Sequence, residues 1–396
     1  MGTSLLLTYD FPPHGGGIAR MMGELALRFP PQSLIVSTGR SPGSAASDAQ
    51  LPQLVDRAPI RAQRLRTLHG LALWSWRAGG LVRRYAPGFT WCGNLKPAAY
   101  PARWLKARYG VPYGVAVYGT DLLLLDSQIR TSTLKRRTTR ALLGGAAVIV
   151  AISEWTAELC RNVLATLDLP ADGGRIRKVP LGTDPSHFRP GVDPRAVRQR
   201  FGLDGGPWLL TVARLESHKG IDTTIRALPA IRARIPGARY MIAGSGPRRP
   251  FLEQTVAQLG LGDAVKFLGS VPDADLPAVY NAADLYVGAS RLHELMAEGF
   301  GIAIVEASAC GLAVVGGRSG GIPDAVREGE TGILVDPDRP EAVAAGVVQL
   351  LEDGDLRRRL GANGRRAAET FYNWERVGRD FIRIDAEFRR PEQRAR

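Results

Sequence analysis

Two carboxylates eight residues apart, Glu298 and Glu306, bracket the segment Glu298-Gly-Phe-Gly301-Ile-Ala-Ile-Val-Glu306, which runs on to Gly311. Glycines 299 and 301 precede an apolar stretch of about two helical turns, and Gly311 closes it. This spacing predicts Glu298 in the loop at the helix mouth, with Glu306 two turns on and on the same face. The first amides of such a helix, at Phe300, Gly301, Ile302 and Ala303, have no partner within it and form a seat for an anion. A carboxylate beside that seat can accept hydrogen bonds from sugar hydroxyls, and a deeper one can bind a ribose diol. Buried carboxylates without partners are costly, which disfavours a purely structural pair. The second chemical signal is Thr211-Val-Ala-Arg214-Leu-Glu-Ser-His-Lys219-Gly220. Two cations just after an apolar strand suit a diphosphate. The third is Phe11-Pro-Pro-His-Gly15-Gly16-Gly17, where glycines follow a strand and admit a ligand close to the backbone.

Several other chemistries fail on spacing. A dinucleotide fingerprint needs a third glycine, but Arg20 stands there, and the second strand ends in Ser37-Thr38 without an acid for a ribose. Gly317-Arg-Ser319-Gly-Gly321 matches the nucleophile elbow of hydrolases, which needs a histidine downstream of the serine. All five histidines (14, 69, 187, 218 and 293) precede Ser319. Asp273-Ala-Asp275 reads as a helix N-cap with an acidic first turn. His293-Glu294 lacks the second histidine of a zinc protease, and no phosphate-binding P-loop is present. No metal or cofactor is expected.

These residues need elements to carry them. Apolar β-type runs alternate with helical stretches, which predicts α/β architecture with parallel sheets. Strands are expected at 5–9, 34–36, 114–117 and 147–152, with helices at 18–29 and 135–143. The alternation restarts with strands at 208–212, 239–243, 265–268, 285–287, 313–315 and 332–335, and helices at 222–235 and 251–259. The Pro- and Gly-rich stretch 185–205 reads as a connection. The chain of 396 residues is thus expected to hold two doubly wound domains, 1–188 and 189–375, with a helix at 376–396 packing back on the first. Ligands of such sheets bind at the carboxyl ends of the strands. A 45% hydrophobic composition supports a sizeable core, and no apolar run reaches a membrane-spanning length. The first residues lack the basic region of a signal peptide. Three scattered cysteines exclude a disulfide framework and fit a reducing, cytoplasmic setting. The net charge of +14 is uneven. Residues 1–188 carry 23 Lys+Arg against 11 Asp+Glu, giving +12, while 189–396 carry 29 against 27, giving +2. The excess predicts an acidic partner, and an anionic membrane surface is the expectation for Arg136, Arg137 and Arg140. Nucleic acid is not expected, because no recognition motif accompanies the charge.

Together, Phe11–Gly17, Val212-Ala-Arg214…Lys219-Gly220, Ala243-Gly-Ser-Gly246, Val265-Lys-Phe-Leu-Gly269, Glu298…Glu306 and Gly316–Val326 resemble the retaining glycosyltransferases of family 4. Their wording is most similar to the mannosyltransferases that elongate phosphatidylinositol mannosides. The resemblance covers essentially the whole chain. It implies the GT-B fold, two Rossmann-like domains facing a central cleft, and transfer of a hexose from a nucleoside-diphosphate sugar to a hydroxyl acceptor. It implies that Arg214 and Lys219 hold the diphosphate, that Glu298 contacts the donor sugar, and that Phe300, Gly301 and Ile302 offer amides to sugar or phosphate. Glu306 would bind the ribose. Gly246, Val265, Phe267 and Leu268 would flank the base, and Gly16 and Gly17 would approach the donor from the other domain. Where family members often carry histidine in a His-Gly-x-Asp-like segment, this chain has Tyr118-Gly119-Thr120-Asp121. The alternatives are an inverting GT-B transferase with Asp10, His14 or Asp121 as base, a sugar-nucleotide epimerase, and a non-enzymatic membrane-associated protein.

Overall fold

The computed structural model describes residues 2–171 and 174–390. The chain divides into two compact units, Met1–Val179 with Trp374–Arg396, and Pro180–Asn373. The division falls before the expected 188/189 boundary. The stretch 185–205 is part of the second unit and contains the helix Arg195–Phe201.

The first unit is built on seven parallel strands: β1 (Ser4–Leu7), β2 (Leu34–Arg40), β3 (Leu54–Arg61), β4 (Phe89–Cys92), β5 (Tyr113–Val117), β6 (Val148–Ala151) and β7 (Ile176–Lys178). Their order is β3-β2-β1-β4-β5-β6-β7. The inner strands are apolar on both faces because helices cover both sides, so they read as continuous hydrophobic runs. Three strands are additional to those expected. β3 carries Asp56, Arg57, Pro59 and Arg61 on an edge of the sheet, β4 has four residues, and β7 has three. The basic helix is Thr133–Gly145, preceded by a second helix, Thr120–Thr131.

Helix Trp374–Phe388 belongs to the first unit. Its buried Asp385 accepts hydrogen bonds from Ser4 Oγ (2.6 Å) and Trp91 Nε1 (3.0 Å) and pairs with Arg389 at 2.5 Å. The rest of the 376–396 expectation, residues 391–396, lies outside the described residues.

The second unit contains β8 (Trp208–Val212), β9 (Arg239–Ala243), β10 (Val265–Gly269), β11 (Leu285–Gly288), β12 (Val314–Gly317) and β13 (Gly332–Val335) in the order β10-β9-β8-β11-β12-β13. All pairings are parallel. Each sheet reverses its winding once, between β1 and β4 and between β8 and β11. Such switch points open a crevice at the carboxyl ends of the flanking strands. No helix among the described residues is long and apolar enough to cross a membrane.

Candidate active site

In the second unit, the chain leaves β8 at the switch point as Ala213-Arg214 and passes through a single 3-10 turn, Ser217–Lys219. Gly220 then turns it with a φ of 63° into helix Ile221–Arg234. A Cβ at Gly220 would stand 1.8 Å from the carbonyl oxygen of Ala289. This close approach presses the Lys219 turn against the end of β11. Lys219 Nζ pairs with Glu298 Oε2 at 2.5 Å, both side chains being mostly buried. Burial acts to raise the Glu298 pKa. The Lys219 charge and hydrogen bond, assisted by His218 and Arg214, outweigh it and leave the carboxyl below its ordinary value. Arg214 is far more open, 68% exposed, and pairs with Glu216 at 2.7 Å. His218 Nδ1 lies 3.5 Å from the other Glu216 oxygen. Burial, and then the neighbouring Lys219 charge, lower His218 to about 4, so the imidazole is neutral at pH 7.

Glu298 is held from behind by the segment with the hydrolase-like spacing. Gly321 N–H donates to the Glu298 carbonyl at 2.9 Å, and Ser319 Oγ accepts from the Leu292 amide at 3.0 Å. At Gly320, φ is 57° and a Cβ would sit 2.4 Å from the same Glu298 carbonyl. Ser319 thus anchors a loop, and the glycines let two backbones meet.

The helix after Glu298 spans Ile302–Ala309, with Gly301 (φ 107°) at its N-cap. Among the described residues, no backbone carbonyl or side chain accepts from the amides of Phe300, Gly301 or Ile302. The Phe300 ring is buried and lies 6.0 Å from that of Tyr372. Arg365 donates to the carbonyls of Ala309, Pro185 and Phe188, so the far end of the helix is tied down as well. Glu306 is 4% exposed and accepts from Tyr280 Oη at 2.7 Å. Both Glu298 and Glu306 act on the buried Tyr286 hydroxyl, whose pKa is raised by burial first and by these two carboxylates next. Both charges are thus felt at the tyrosine of β11. Tyr280 and Tyr286, which link Glu306 to the strand, have no signal in the sequence beyond their apolar context.

Gly246 lies against the β8 loop, where a Cβ would be 2.6 Å from the Leu215 carbonyl. Its observed contact is support of the Arg214 segment. Phe267 is half-buried beneath the Arg249 guanidinium (5.5 Å), and Leu268 is buried where the β9–β10 register slips. Val265 stands apart. It opens β10 and belongs to the core, four residues or about 13 Å before the carboxyl end at which the other residues gather. At that end Ser245 and Ser270, which spacing did not single out, meet at 3.1 Å. Asp275 occupies the N-cap position of helix Leu276–Asn281 without a side-chain cap bond and faces Arg200 at 4.0 Å. Among the described residues, no group of acidic, histidine and cysteine side chains could hold a metal ion.

In the first unit, Gly16 (φ 116°) caps helix Gly17–Arg28, and a Cβ at Gly15 or Gly16 would meet nothing within 4 Å. Packing therefore does not require these two glycines. Tyr118 Oη donates to the Gly93 carbonyl at 2.7 Å. Asp121 Oδ1 accepts from the Tyr118 amide at 2.9 Å at the start of helix Thr120–Thr131. This commits Asp121 to capping, although burial raises its pKa. Asp10 lies at the β1/β4 switch point. Asn94 Nδ2 donates to it at 3.2 Å, and burial raises its pKa.

The sequence profile described as "Glycosyl transferases group 1" matches residues 195–367. The chain is similar to the GDP-mannose-dependent alpha-(1-6)-phosphatidylinositol monomannoside mannosyltransferase of Mycobacterium tuberculosis, with 30% identity over 393 residues covering 97% of this chain and 99% of that protein. Its Mycolicibacterium smegmatis counterpart is 31% identical, covering 94% and 96%. Among solved structures, Anabaena HepE in complex with UDP and glucose superposes with a TM-score of 0.77 at 20% identity, covering 97% of this chain and 99% of that one. Sucrose-phosphate synthase from Thermosynechococcus elongatus gives 0.76 at 22%, covering 97% and 98%. The paired Rossmann-like units are thus those of the GT-B fold, and the chain belongs to the glycosyl transferase group 1 family and is a glycosyltransferase.

Proposed function

We propose that this glycosyltransferase moves a hexose from a nucleoside-diphosphate sugar, GDP-mannose or a UDP-hexose, to a hydroxyl acceptor with retention at the anomeric carbon. The observation that carries this reading is the Lys219–Glu298 pair (2.5 Å) beside the open amides of Phe300–Ile302 and next to Arg214. A cation for the leaving diphosphate stands against a carboxylate for the sugar hydroxyls. GDP-mannose is favoured because the full-length mycobacterial relatives are named for it.

The bond from the anomeric carbon to the diphosphate breaks as the acceptor oxygen attacks from the same face. The acceptor proton passes to the departing phosphate. Lys219, Arg214 and the helix amides stabilise the charge that builds on the leaving group. Glu298 positions the sugar through its hydroxyls, and Glu306 serves the ribose. We propose that no metal takes part, since two cations suffice for the diphosphate.

A second reading, inversion with Asp10 as base, is favoured by one observation. Burial raises the Asp10 pKa toward the range useful for proton abstraction. Burial raises the Asp121 pKa as well, but its carboxylate accepts from the Tyr118 amide at the start of its own helix, so Asp10 is the better candidate.

The test is a thermal-shift screen of GDP-, UDP- and ADP-sugars, followed by NMR assignment of the product anomer. GDP-mannose is expected to give the largest rise in Tm, and the product is expected to retain the donor configuration. An inverted product would transfer the argument to Asp10. Activity should persist in excess EDTA; loss that Mn²⁺ or Mg²⁺ restores would overturn the metal-free mechanism.

We also assign acceptor binding to the first unit, with a lipid-linked or glycan acceptor and peripheral attachment at the cytoplasmic membrane face. The support is the +12 charge of residues 1–188 together with the exposed apolar side chains Leu68, Trp76 and Leu134. Arg136 and Arg140, expected at that surface, share Asp168 at 2.9 and 3.4 Å.

A further inference from the structure

Helices Ala99–Tyr109 and Thr133–Gly145 of the first unit flank a groove of about 700 Å³. That is within the range of about 300–1,000 Å³ typical of ligand sites. Four of its lining side chains are cations, Arg103, Lys106, Arg137 and Arg140, and Leu169 forms part of an otherwise small-residue wall. The two helices lead into β5 and β6, so their carboxyl ends lie by the starts of those strands. Lys106 and Leu169 are at that end. The groove therefore opens toward the opposite end of the sheet from the Asp10–Asn94 crevice.

The charges in the groove are poorly compensated. Arg103 Nε donates to the Ala141 carbonyl (3.2 Å), and Lys106 Nζ to the Gly145 carbonyl (2.8 Å), acceptors that carry no net charge. Arg140 reaches Asp168 at 3.4 Å, but Arg136 takes the same oxygen at 2.9 Å. The Arg137 side chain makes no hydrogen bond or ion pair among the described residues. Four cations in one concavity repel one another, and that repulsion is relieved by an anion with several acceptor oxygens.

We propose that this groove is a phosphate-binding site, separate from the site of sugar transfer. Guanidinium forks on two helices match the oxygens of a phosphomonoester or diphosphate, and Leu169 offers contact to whatever carries it. The phosphate could belong to a lipid headgroup or to a soluble compound, and the chemistry of the groove is the same for both. The proposal is independent of the assignment of Arg214 and Lys219.

The experiment uses the full chain carrying Arg214→Ala and Lys219→Ala, so that the cations of the second unit do not contribute, and inorganic pyrophosphate as the calorimetric probe. Saturable binding is expected. Adding Arg137→Ala and Arg140→Ala should weaken it roughly tenfold or more, with the melting temperature unchanged. Flotation with phosphatidylglycerol and with phosphatidylcholine vesicles then separates the sources. Binding to the anionic vesicles that pyrophosphate competes away supports a lipid phosphate. Pyrophosphate binding without vesicle binding supports a soluble one. No saturable pyrophosphate binding, or equal affinity with and without the groove substitutions, overturns the site.

Discussion

Lys219→Ala is expected to lower kcat/KM by about one to two orders of magnitude, because a hydrogen bond to a charged group is worth about 1.5–3 kcal/mol. The loss has two parts. The cation for the leaving diphosphate disappears, and Glu298 loses the partner that offsets its burial. In the intact protein the Glu298 pKa lies below its ordinary value because Lys219 outweighs desolvation. Without Lys219, desolvation dominates and the pKa moves above that value. The sign of the pH effect follows. In the parent, Glu298 stays ionised well into acid, and whatever stability its ionisation contributes is lost only as pH falls through the depressed pKa. In the variant, Glu298 takes up its proton at higher pH, so the acid limb of the kcat/KM profile shifts upward. Arg214→Ala should cost about tenfold through the lost contact to the diphosphate, and it should raise that limb by less than Lys219→Ala does, because Arg214 is the weakest of the groups that hold the Glu298 carboxyl down. Steady-state kinetics across the pH range checks both. A Lys219→Ala enzyme with near-normal kcat/KM and an unmoved acid limb would sink the assignment.

The elements that carry this site were legible because their signals are local. Strands Trp208–Val212, Arg239–Ala243 and Gly332–Val335 coincide with apolar β-branched runs bounded by turns, and the glycines at 301 and 311 bracket helix Ile302–Ala309. What stayed hidden depends on contacts distant in sequence. β3 and β7 were missed because both are edge strands whose arginines and lysine break the apolar pattern. Val265 shares a motif with Phe267 and Leu268, yet the rise of the strand places it at the amino end of β10, away from the site. Spacing put Glu306 on a helix, but its partner Tyr280 is contributed by another element 26 residues away. Tyr118 fills the position of a sugar-contacting histidine in the resemblance, and only the folded chain shows its hydroxyl donating to Gly93.

Gly320→Ala should abolish most activity through a residue that bears no functional group. Its φ of 57° costs an L-residue roughly 1–2 kcal/mol, and a Cβ there meets the Glu298 carbonyl at 2.4 Å. Backbone atoms cannot yield as a flexible side chain would, so the strand-to-helix loop or the Glu298 segment must shift, at a further cost of about 1–3 kcal/mol. The Gly321–Glu298 hydrogen bond fixes the same carbonyl, so the shift is passed to the carboxylate that pairs with Lys219. A displacement of about 1 Å at a positioning group can cost about a hundredfold in rate. The expected result is a fall of that order in kcat/KM and a Tm lower by a few degrees. Gly329→Ala is the matched control. Its φ is 72°, but a Cβ there meets nothing within 4 Å. It should carry the left-handed cost alone, with a comparable but smaller loss of Tm and unchanged kinetics. If both alanine variants lose activity equally, the effect is one of general stability, and the loop from Gly317 to Gly321 does not position Glu298.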